Sequence, residues 1–220
     1  MLFLAVFCGF IAEYLLEHKI EKEKGREYVR MYYEDLKADT ANFSDLLFIY
    51  KNKMSKLEKR YDCYQNIIKD MSATECLWDL IDNSSSFPDL VYTDRTIQQL
   101  KNAGGLRLLK QADADSILFY DNNLRQYKQA ETTSFQETQT GIRNTIFSLL
   151  NYQKLSEKDG NKPKDTHSLL LPGTNELLNR YFNQLDFYAR TCKSIYQVIT
   201  YLRSQATSLI SYFKNEYHLK

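Results

Sequence analysis

Histidine is the side chain that most often binds metals or moves protons near neutral pH, and this sequence contains three. His18, His167 and His218 are widely separated, and none belongs to a Glu-x-x-His pair of the kind that supplies di-iron sites in helical bundles. The motifs of zinc proteases, nucleophile elbows, P-loops and dinucleotide-binding loops do not occur either. We therefore predict no catalytic residue, no cofactor-binding residue and no metal ligand, and we expect a protein that is not an enzyme.

Two other groups could bind an ion, and each has a simpler structural explanation. Asp113, Asp115 and Asp121 lie around the start of a helix, but the glycine and the final glutamate of an EF-hand calcium loop are missing. Helix capping and solvation account for these carboxylates better. Gly104 and Gly105 precede a helix, whose N-terminus could hold an anion, although a plain break between two helices is the favoured interpretation.

The chain contains seventeen tyrosines, which suggests a hypothesis of ligand stacking. Many of them fall on apolar stripes with helical spacing, where the ring packs in a core and the hydroxyl reaches its edge. Examples are Tyr50, Tyr61, Tyr64, Tyr181 and Tyr188. We therefore favour core packing over a stacking site, and we interpret the single tryptophan, Trp78, as a packing anchor.

The charge pattern argues against a nucleic-acid-binding protein. The chain has 29 basic and 28 acidic residues, a net charge of +1, and the two signs are mixed along the sequence. A nucleic-acid binder would concentrate positive charge on one face. The nearest approach to such a patch is Lys51, Lys53, Lys56, Lys59 and Arg60. Because Glu58 interrupts this run, we interpret it as a solvated helix face and expect no nucleic-acid partner.

The four cysteines show no metal-binding spacing. Cys8 lies in the apolar N-terminus, and Cys192 lies on an apolar stripe, where a free cysteine behaves as a small hydrophobic residue. A disulfide between Cys63 and Cys76 could form, but their spacing does not require one.

The N-terminus is an uninterrupted apolar run from Leu2 to Ala12, and Leu15 and Leu16 extend it beyond Glu13. A helix that spans a membrane needs about 20 apolar residues, so a run of this length is more typical of a buried helix or a signal sequence. A signal peptide is disfavoured because a basic n-region and a cleavage site are missing. The remaining alternatives are a short or oligomer-supported span, a span that begins upstream of this start, and a soluble core helix.

Among these alternatives we predict a membrane helix over residues 1–18, which contacts the lipid bilayer through residues 2–16 and continues into the first long helix. The soluble core helix remains the alternative. Basic residues between Lys19 and Arg30 follow the apolar run. Taken alone, they favour a cytoplasmic body by the positive-inside rule.

The first strong signal in the body is a stripe of apolar and aromatic residues from Val29 to Met71. The stripe alternates steps of three and four residues, with Thr40 as a polar exception, which is the period of a helix whose seam faces another helix. We therefore predict one continuous helix over residues 19–71.

A second stripe of the same spacing runs from Leu178 to Phe213 and predicts a helix over residues 174–217. Thr174 follows Pro172-Gly173 and is suited to be its N-cap. A neighbouring apolar row widens this face beyond the seam of a two-stranded coiled coil, which favours packing in a bundle.

Between the two stripes the sequence predicts shorter elements. Ser72 and Glu75 form a capping box for the first of them, and Asp94 can cap the second. The predicted helices cover residues 73–82, 94–103 and 106–154. Residues 155–172 are polar and contain glycine and proline, so we predict a mobile loop there.

Glycine (7) and proline (3) are too scarce for the many turns that a sheet protein of this size requires. The predicted fold class is therefore all-α. We expect an elongated antiparallel helical bundle of about four main helices, forming one domain over residues 19–220, with an N-terminal transmembrane or membrane-associated helix.

Three segments of the sequence resemble an uncharacterised family of small membrane proteins common in Bacteroidota. They are GREYVRMYYEDLKADT (residues 25–40), RTIQQLKNAGGLRLL (95–109) and ATSLISYFKNEYHLK (206–220), so the resemblance spans most of the chain. It implies a single-pass protein of the bacterial inner membrane whose body lies in the periplasm. The family brings no established activity.

From these observations we expect a non-enzymatic, membrane-anchored helical bundle that serves as an interaction or scaffold subunit of a bacterial envelope assembly. Its expected partners are the bilayer and either further copies of itself or another membrane protein. The alternative is a sensory or ligand-binding four-helix-bundle module that signals through a separate partner, with the loop over residues 155–172 gating a pocket.

Overall fold

The computed structural model describes residues 2–159 and 162–219, and α-helices occupy most of this part, which confirms the all-α prediction. The α-helices are α1 (Leu2–Leu57), α2 (Arg60–Lys69), α3 (Glu75–Ser84), α4 (Arg95–Asn102), α5 (Gln111–Ala130), α6 (Gln136–Leu149), α7 (Tyr152–Ser156) and α8 (Asn175–Tyr217). A 3-10 turn (Gly105–Leu108) precedes α5, and a π-helical turn (Glu131–Phe135) joins α5 to α6. The short strands β1 (Lys158–Asp159) and β2 (Lys162–Pro163) pair antiparallel, with Lys158 opposite Pro163.

The chain divides into two compact units, each made of separate stretches of sequence. The first unit contains residues 1–44, 91–126 and 201–220, and the second contains residues 45–90 and 127–200. The single domain predicted over residues 19–220 therefore corresponds to two units. Hydrophobic periodicity could not mark the division, because α1, α5 and α8 each contribute residues to both units and their stripes continue across it.

The helix predicted over residues 19–71 is interrupted at Glu58 and Lys59, between α1 and α2. The Leu57 carbonyl at the break accepts a hydrogen bond from the Arg60 guanidinium (2.9 Å). The same guanidinium donates to the Asp186 carboxylate (2.6 Å). The Leu57 carbonyl thus accepts a side-chain hydrogen bond where a continuing helix would supply a backbone N–H, and α1 ends here.

After this break the buried face is not the predicted one. Tyr61 and Ile68, which the stripe placed in the core, are 68% and 52% exposed, whereas Cys63 and Ile67 are buried. The interruption rotates α2 relative to the extrapolated stripe, so the prediction was wrong for these positions. Cys63 now faces α3, where it forms a disulfide with Cys76.

The closing helix α8 begins at Asn175 and ends at Tyr217, one residue inside the predicted start. Its predicted stripe is buried from Leu178 to Phe213, except for the half-buried Leu209. Thr174 lies directly before the helix, but its hydroxyl donates to the Leu171 carbonyl (2.7 Å) instead of capping a helical N–H. The threonine therefore fastens the preceding loop.

The predicted capping box of the helix after residue 72 is also wrong. The Ser72 hydroxyl donates to Asp70 (2.7 Å), and α3 begins at Glu75 after Thr74. The Thr74 hydroxyl donates to the Thr166 carbonyl (2.5 Å) and accepts the Leu169 N–H (3.1 Å). Contacts distant in sequence therefore fix this helix start, and a local motif does not.

Residues 106–154, predicted as one helix, contain the end of the 3-10 turn, then α5, the π-helical turn and α6. The predicted mobile loop over residues 155–172 has structure of its own in its described part, because β1 and β2 pair and Leu169 and Leu170 are buried. Burial of these leucines explains why the loop packs against the body. Residues 160 and 161 lie outside the described part.

In the first unit, two buried carboxylates of α1 fix the start of α4. Asp35 accepts the Thr96 N–H (3.2 Å) and the Arg95 Nε–H (2.7 Å). Asp39 accepts the Thr93 N–H (2.7 Å). Asp94 occupies the predicted N-cap position, but its side chain makes no capping bond. The sequence predicted that Asp94 caps α4, but the carboxylates of α1 accept the N–H groups at the start of this helix instead.

In the second unit, side chains of the long helices bind the backbone at the end of α3 and just after it. Lys53 donates to the carbonyls of Asn83 (2.5 Å) and Ser86 (3.0 Å), and the Asn83 amide donates back to the Lys53 carbonyl (3.0 Å). The Tyr188 hydroxyl lies 2.8 Å from the Ser86 carbonyl. Since the helix ends here, such side-chain bonds replace the missing backbone partners.

The π-helical turn is fixed by the same kind of contact. Glu131 is buried, accepts the Leu90 N–H (2.7 Å) and forms a hydrogen-bonded ion pair with Lys128. Lys128 also donates to the Leu90 carbonyl (3.2 Å). Glu131 and Lys128 therefore satisfy the N–H and the carbonyl of Leu90, and these bonds hold the π-helical turn in place.

The described part of the N-terminal apolar run is exposed. Phe10, Tyr14 and Leu15 are 67%, 68% and 60% accessible, and the side chains of residues 2–6 lie outside the described part. None of the helices in the described part combines the length and the apolarity that a membrane span needs.

The buried carboxylate of Asp39 generates a prediction for stability as a function of pH. Burial raises the pKa of Asp39 to about 6, above the value of about 3.8 expected in the unfolded chain. The folded state therefore binds the proton more readily, and the Asp39 contribution to stability, complete below pH 4, is lost as the pH rises through 6.

Asp39→Asn should remove this dependence, because the amide oxygen can still accept the Thr93 N–H while the side chain stays neutral. Relative to the wild type, the free energy of unfolding of the variant should rise by up to about 3 kcal/mol between pH 4 and pH 7. Urea unfolding at a series of pH values measures the difference. Asp45→Asn, an exposed aspartate of the same helix, is the control. A difference that does not vary with pH would contradict the assignment.

The disulfide between Cys63 and Cys76, which are 13 residues apart, generates a second prediction. A Cys63→Ser/Cys76→Ser double variant should lower the free energy of unfolding by about 3 kcal/mol, because the unfolded chain regains the entropy of an open loop. Denaturant unfolding of the oxidised protein, the reduced protein and the double variant measures the loss. Cys8→Ser, at an exposed free cysteine, should leave the midpoint unchanged. Equal midpoints for the oxidised and reduced protein would show that the bridge does not stabilise the fold.

Candidate functional site

The three histidines do not meet. His18 is exposed and stacks on Tyr14, with ring centroids 6.3 Å apart. His167 Nδ1 lies 2.8 Å from the Glu75 carboxylate at the surface, and His218 follows the end of α8. No group of three or more histidine, cysteine or acidic side chains among the described residues could hold a metal ion.

The structure distributes the candidate calcium ligands among different partners. Asp113 is buried and accepts hydrogen bonds from the hydroxyls of Tyr212 (2.7 Å) and Tyr217. The hydrogen bond that Tyr212 donates to Asp113 raises the pKa of Tyr212 to about 12. Asp115 accepts the Gln111 amide within α5 (2.9 Å). In the first unit Asp113 therefore joins α5 to α8, whereas Asp115 is bound within its own helix.

The other two candidates for ion binding are also structural. Asp121 is buried and pairs with Lys101 and with Arg125 (2.8 Å), which neutralise its charge. Gly104 adopts a left-handed conformation (φ 66°), and Gly105 lies where a Cβ would meet packed side chains at about 3.0 Å. Both glycines therefore serve the break between α4 and the 3-10 turn.

The tyrosines of the apolar stripes follow the core interpretation, with one exception. Tyr50, Tyr181 and Tyr188 are fully buried, whereas Tyr61 is exposed and Tyr64 is half-buried. Burial raises the pKa of Tyr181 well above its usual range, since its hydroxyl lies in the core beside Ser84. These rings pack inside the second unit and leave no stacking platform there.

Two basic residues of the run at 51–60 bind groups of the protein itself. Lys53 donates to the Asn83 carbonyl, and Arg60 donates to the Asp186 carboxylate. The buried thiol of Cys192 is equally structural. Burial raises the pKa of Cys192 to about 11, so the thiol remains protonated at neutral pH and is a poor nucleophile.

Trp78 is half-buried and lines an apolar groove of about 340 Å³ in the second unit. Phe147, Tyr152 and Leu155 contribute to the same groove, and Arg143 lies at its side. Trp78 was predicted to be a packing anchor, and it also presents one face to this groove.

A polar cleft of about 680 Å³, which we call the α6–α8 cleft, lies in the second unit between the segment of residues 134–142 and α8. From the first side it is lined by Ser134, Glu137, Thr138, Gly141 and Ile142. These positions are spaced by three and four residues, so they share one helical face. The π-helical turn and α6 therefore supply one wall.

The opposite wall is a face of α8 with the same spacing. It is lined by Glu176, Asn179, Arg180, Asn183, Gln184 and Phe187. The buried stripe of α8 turns toward the core, so these residues form the neighbouring polar row of the helix. The cleft thus arises where the polar rows of two packed helices face each other.

The lining of the α6–α8 cleft suits recognition better than catalysis. It combines two carboxylates, one guanidinium, three carboxamides and two hydroxyls with the exposed aromatic ring of Phe187. Histidine and cysteine are absent from the described lining. The cleft therefore offers many hydrogen-bond donors and acceptors.

One polar atom in this wall has no partner. The side-chain oxygen of Gln184 is buried and accepts no hydrogen bond from any described residue. Buried acceptors are almost always satisfied, so this oxygen is an exception. It is closed to solvent, and a molecule in the cleft does not reach it.

The sequence did not reveal this cleft. Its residues come from two stretches more than 30 positions apart, and each stretch alone has the pattern of a solvated helix face. The available signal was Gly141, an interior helix glycine within a polar run, where glycine is unfavourable by about 1 kcal/mol relative to alanine. The chain matches no protein-family model, no curated protein and no solved structure.

Proposed function

We propose that the protein is a non-enzymatic, membrane-attached helical-bundle protein of the bacterial envelope, which acts as an interaction or scaffold subunit. The proposal includes the finer architecture, an antiparallel bundle of about four main helices with a membrane-associated N-terminus. The observation that carries it is the exposed apolar start of α1.

Apolar side chains surround the first described turns of α1. Phe7, Phe10 and Ile11 are 54%, 67% and 43% exposed, and Tyr14 and Leu15 continue the surface. A helix that is apolar on all sides is normally covered by protein or lipid. An exposed surface of this kind marks an interaction site, and a bilayer covers every side of a helix at once.

The apolar run is short for a membrane. Eleven residues of α-helix extend about 17 Å, roughly half of a hydrocarbon core about 30 Å thick. We therefore propose attachment through residues 2–16, with Glu17 and the charged residues that follow it outside the hydrocarbon. The body belongs on the periplasmic side in this proposal, because the Cys63–Cys76 disulfide is suited to an oxidising compartment.

The body also presents side chains for a partner protein or a second copy. Phe48, Phe147 and Val198 of the second unit are 66%, 76% and 41% exposed. Large exposed apolar side chains are enriched at protein interfaces. They support a scaffold or interaction role for the described surface.

A second candidate function, a ligand-binding module that signals through a separate partner, is favoured by one observation. The α6–α8 cleft has the volume of a small-molecule site. This candidate is compatible with membrane attachment.

Membrane attachment is tested by fractionation of cells that produce the full chain. A Phe10→Glu/Leu15→Glu variant should move from the membrane pellet to the supernatant, because each buried carboxylate costs several kcal/mol in hydrocarbon. Phe48→Glu, an equally exposed aromatic residue elsewhere on α1, is the matched control and should remain in the pellet. Wild-type protein found in the supernatant would refute the attachment.

The side of the membrane is tested with Lys164→Cys in a Cys8→Ser background, since Lys164 is exposed and Cys192 is buried. A membrane-impermeant thiol reagent should label this cysteine in cells whose outer membrane alone has been permeabilised. Labelling that requires lysis of the inner membrane would place the body in the cytoplasm and contradict the proposal.

A further inference from the structure

We propose that the apolar groove beside Trp78, which we call the Trp78 groove, binds a medium-chain fatty acid, with the alkyl chain on its apolar lining and the carboxylate against Arg143. The groove lies within the second unit and is separate from the α6–α8 cleft. This inference rests neither on that cleft nor on membrane attachment.

Three helices of the second unit supply the walls of the Trp78 groove. Trp78, Ile81 and Ser85 are spaced by three and four residues and therefore share one face of α3. Arg143 and Phe147 lie one turn apart on α6. The short helix α7 closes the third side, so no partner chain is needed to form the groove.

The lining changes from buried and aliphatic to exposed and aromatic. Ile81, Ile146 and Leu150 are buried, whereas Phe147 and Tyr152 are 76% and 81% exposed. The groove thus has an aliphatic floor and an aromatic rim, and an alkyl chain placed on them would remove apolar surface from water. Its volume of about 340 Å³ is at the lower end of the range for small-molecule sites, which suits one chain better than the two chains of a phospholipid.

Hydrogen bonds hold these walls in place without a ligand. The Ser85 carbonyl at the end of α3 accepts bonds from Gln139 and Arg143 of α6, each at 2.9 Å. Between α6 and α7, the Asn151 N–H donates to the Leu169 carbonyl (2.8 Å). A ligand would therefore enter a formed groove, which reduces the entropy lost on binding.

The scarcity of polar partners in the groove argues against a docked protein segment. The Ser85 hydroxyl already donates to the Asp82 carbonyl (2.9 Å). A peptide backbone would bring N–H and carbonyl groups that need hydrogen-bond partners, and the apolar lining would leave them unsatisfied. An alkyl chain brings no such groups.

The charge of the groove selects the head group. Arg143 is the charged side chain of the described lining, and it is exposed. Its Nε–H is bound to the Ser85 carbonyl, while its terminal nitrogens form no hydrogen bond or ion pair with another described residue. A guanidinium can donate two parallel hydrogen bonds to a carboxylate. The groove therefore favours an apolar chain with an anionic head over a neutral or cationic one.

The test uses the single tryptophan of the chain, which lines the groove and reports its occupation by fluorescence. The full-length Phe10→Glu/Leu15→Glu variant avoids a detergent that would compete for the groove, and wild-type protein replaces it if that protein is soluble. Dodecanoate should change the emission saturably, with a Kd below about 1 mM. Dodecyltrimethylammonium has the same chain and a cationic head, so it should bind about tenfold more weakly.

Two variants at exposed positions test the lining, with affinities measured by calorimetry. Arg143→Gln should weaken dodecanoate binding by about fivefold, the effect of losing an exposed ion pair. Phe147→Glu should weaken it by about tenfold, because the new carboxylate lies one turn from Arg143 and competes for its guanidinium. Arg180→Gln and Phe187→Glu, at exposed positions of α8 outside the groove, are the matched controls and should bind within about twofold of the parent protein.

The proposal is wrong if dodecanoate causes no saturable change in emission below about 1 mM, if the cationic amphiphile binds equally well, or if both groove variants bind like the parent protein. Sedimentation tests the other occupant of an apolar groove. A dimer that Phe147→Glu dissociates, without binding of dodecanoate, would make the groove an interface between copies and overturn the proposal. These results leave the membrane fractionation untouched, so the two proposals fail separately.

Discussion

The backbone between α3 and α4 has no helical partners, and the surrounding fold depends on side chains that satisfy it. In the first unit, Asp39 binds the Thr93 N–H, and in the second unit Glu131 binds the Leu90 N–H. Each such group would cost about 1–3 kcal/mol if it were buried without a partner. Long helices that carry these side chains therefore cannot be entirely apolar on their buried faces.

This constraint explains where the sequence was informative. Periodicity and the scarcity of glycine and proline predicted an all-α chain. The buried stripe of α8 could be located from residue spacing, because apolar residues separated by three and four positions share one packing face. The same reasoning did not single out Asp35 or Asp39. It could not identify them as buried, because their partners lie more than 50 residues away.

The local motifs failed for a related reason. Ser72 and Asp94 had the right neighbours for capping, yet both helix starts are fixed by groups distant in sequence, such as the Thr166 carbonyl that binds Thr74. The end of α1 at Leu57 likewise depends on Arg60, whose guanidinium reaches Asp186. A motif records which bonds are available, whereas the tertiary fold decides which of them form.

The α6–α8 cleft inherits its shape from the same backbone contacts. Glu131 binds Leu90 and thereby fixes the π-helical turn, and Ser134 in that turn begins the wall of the cleft. On the side of α3, Gln139 and Arg143 of α6 donate to the Ser85 carbonyl, each at 2.9 Å. These bonds hold α6 by a face that does not line the cleft. The polar groups that complete an irregular segment thus also fix the position of the helix that forms one wall of the cleft.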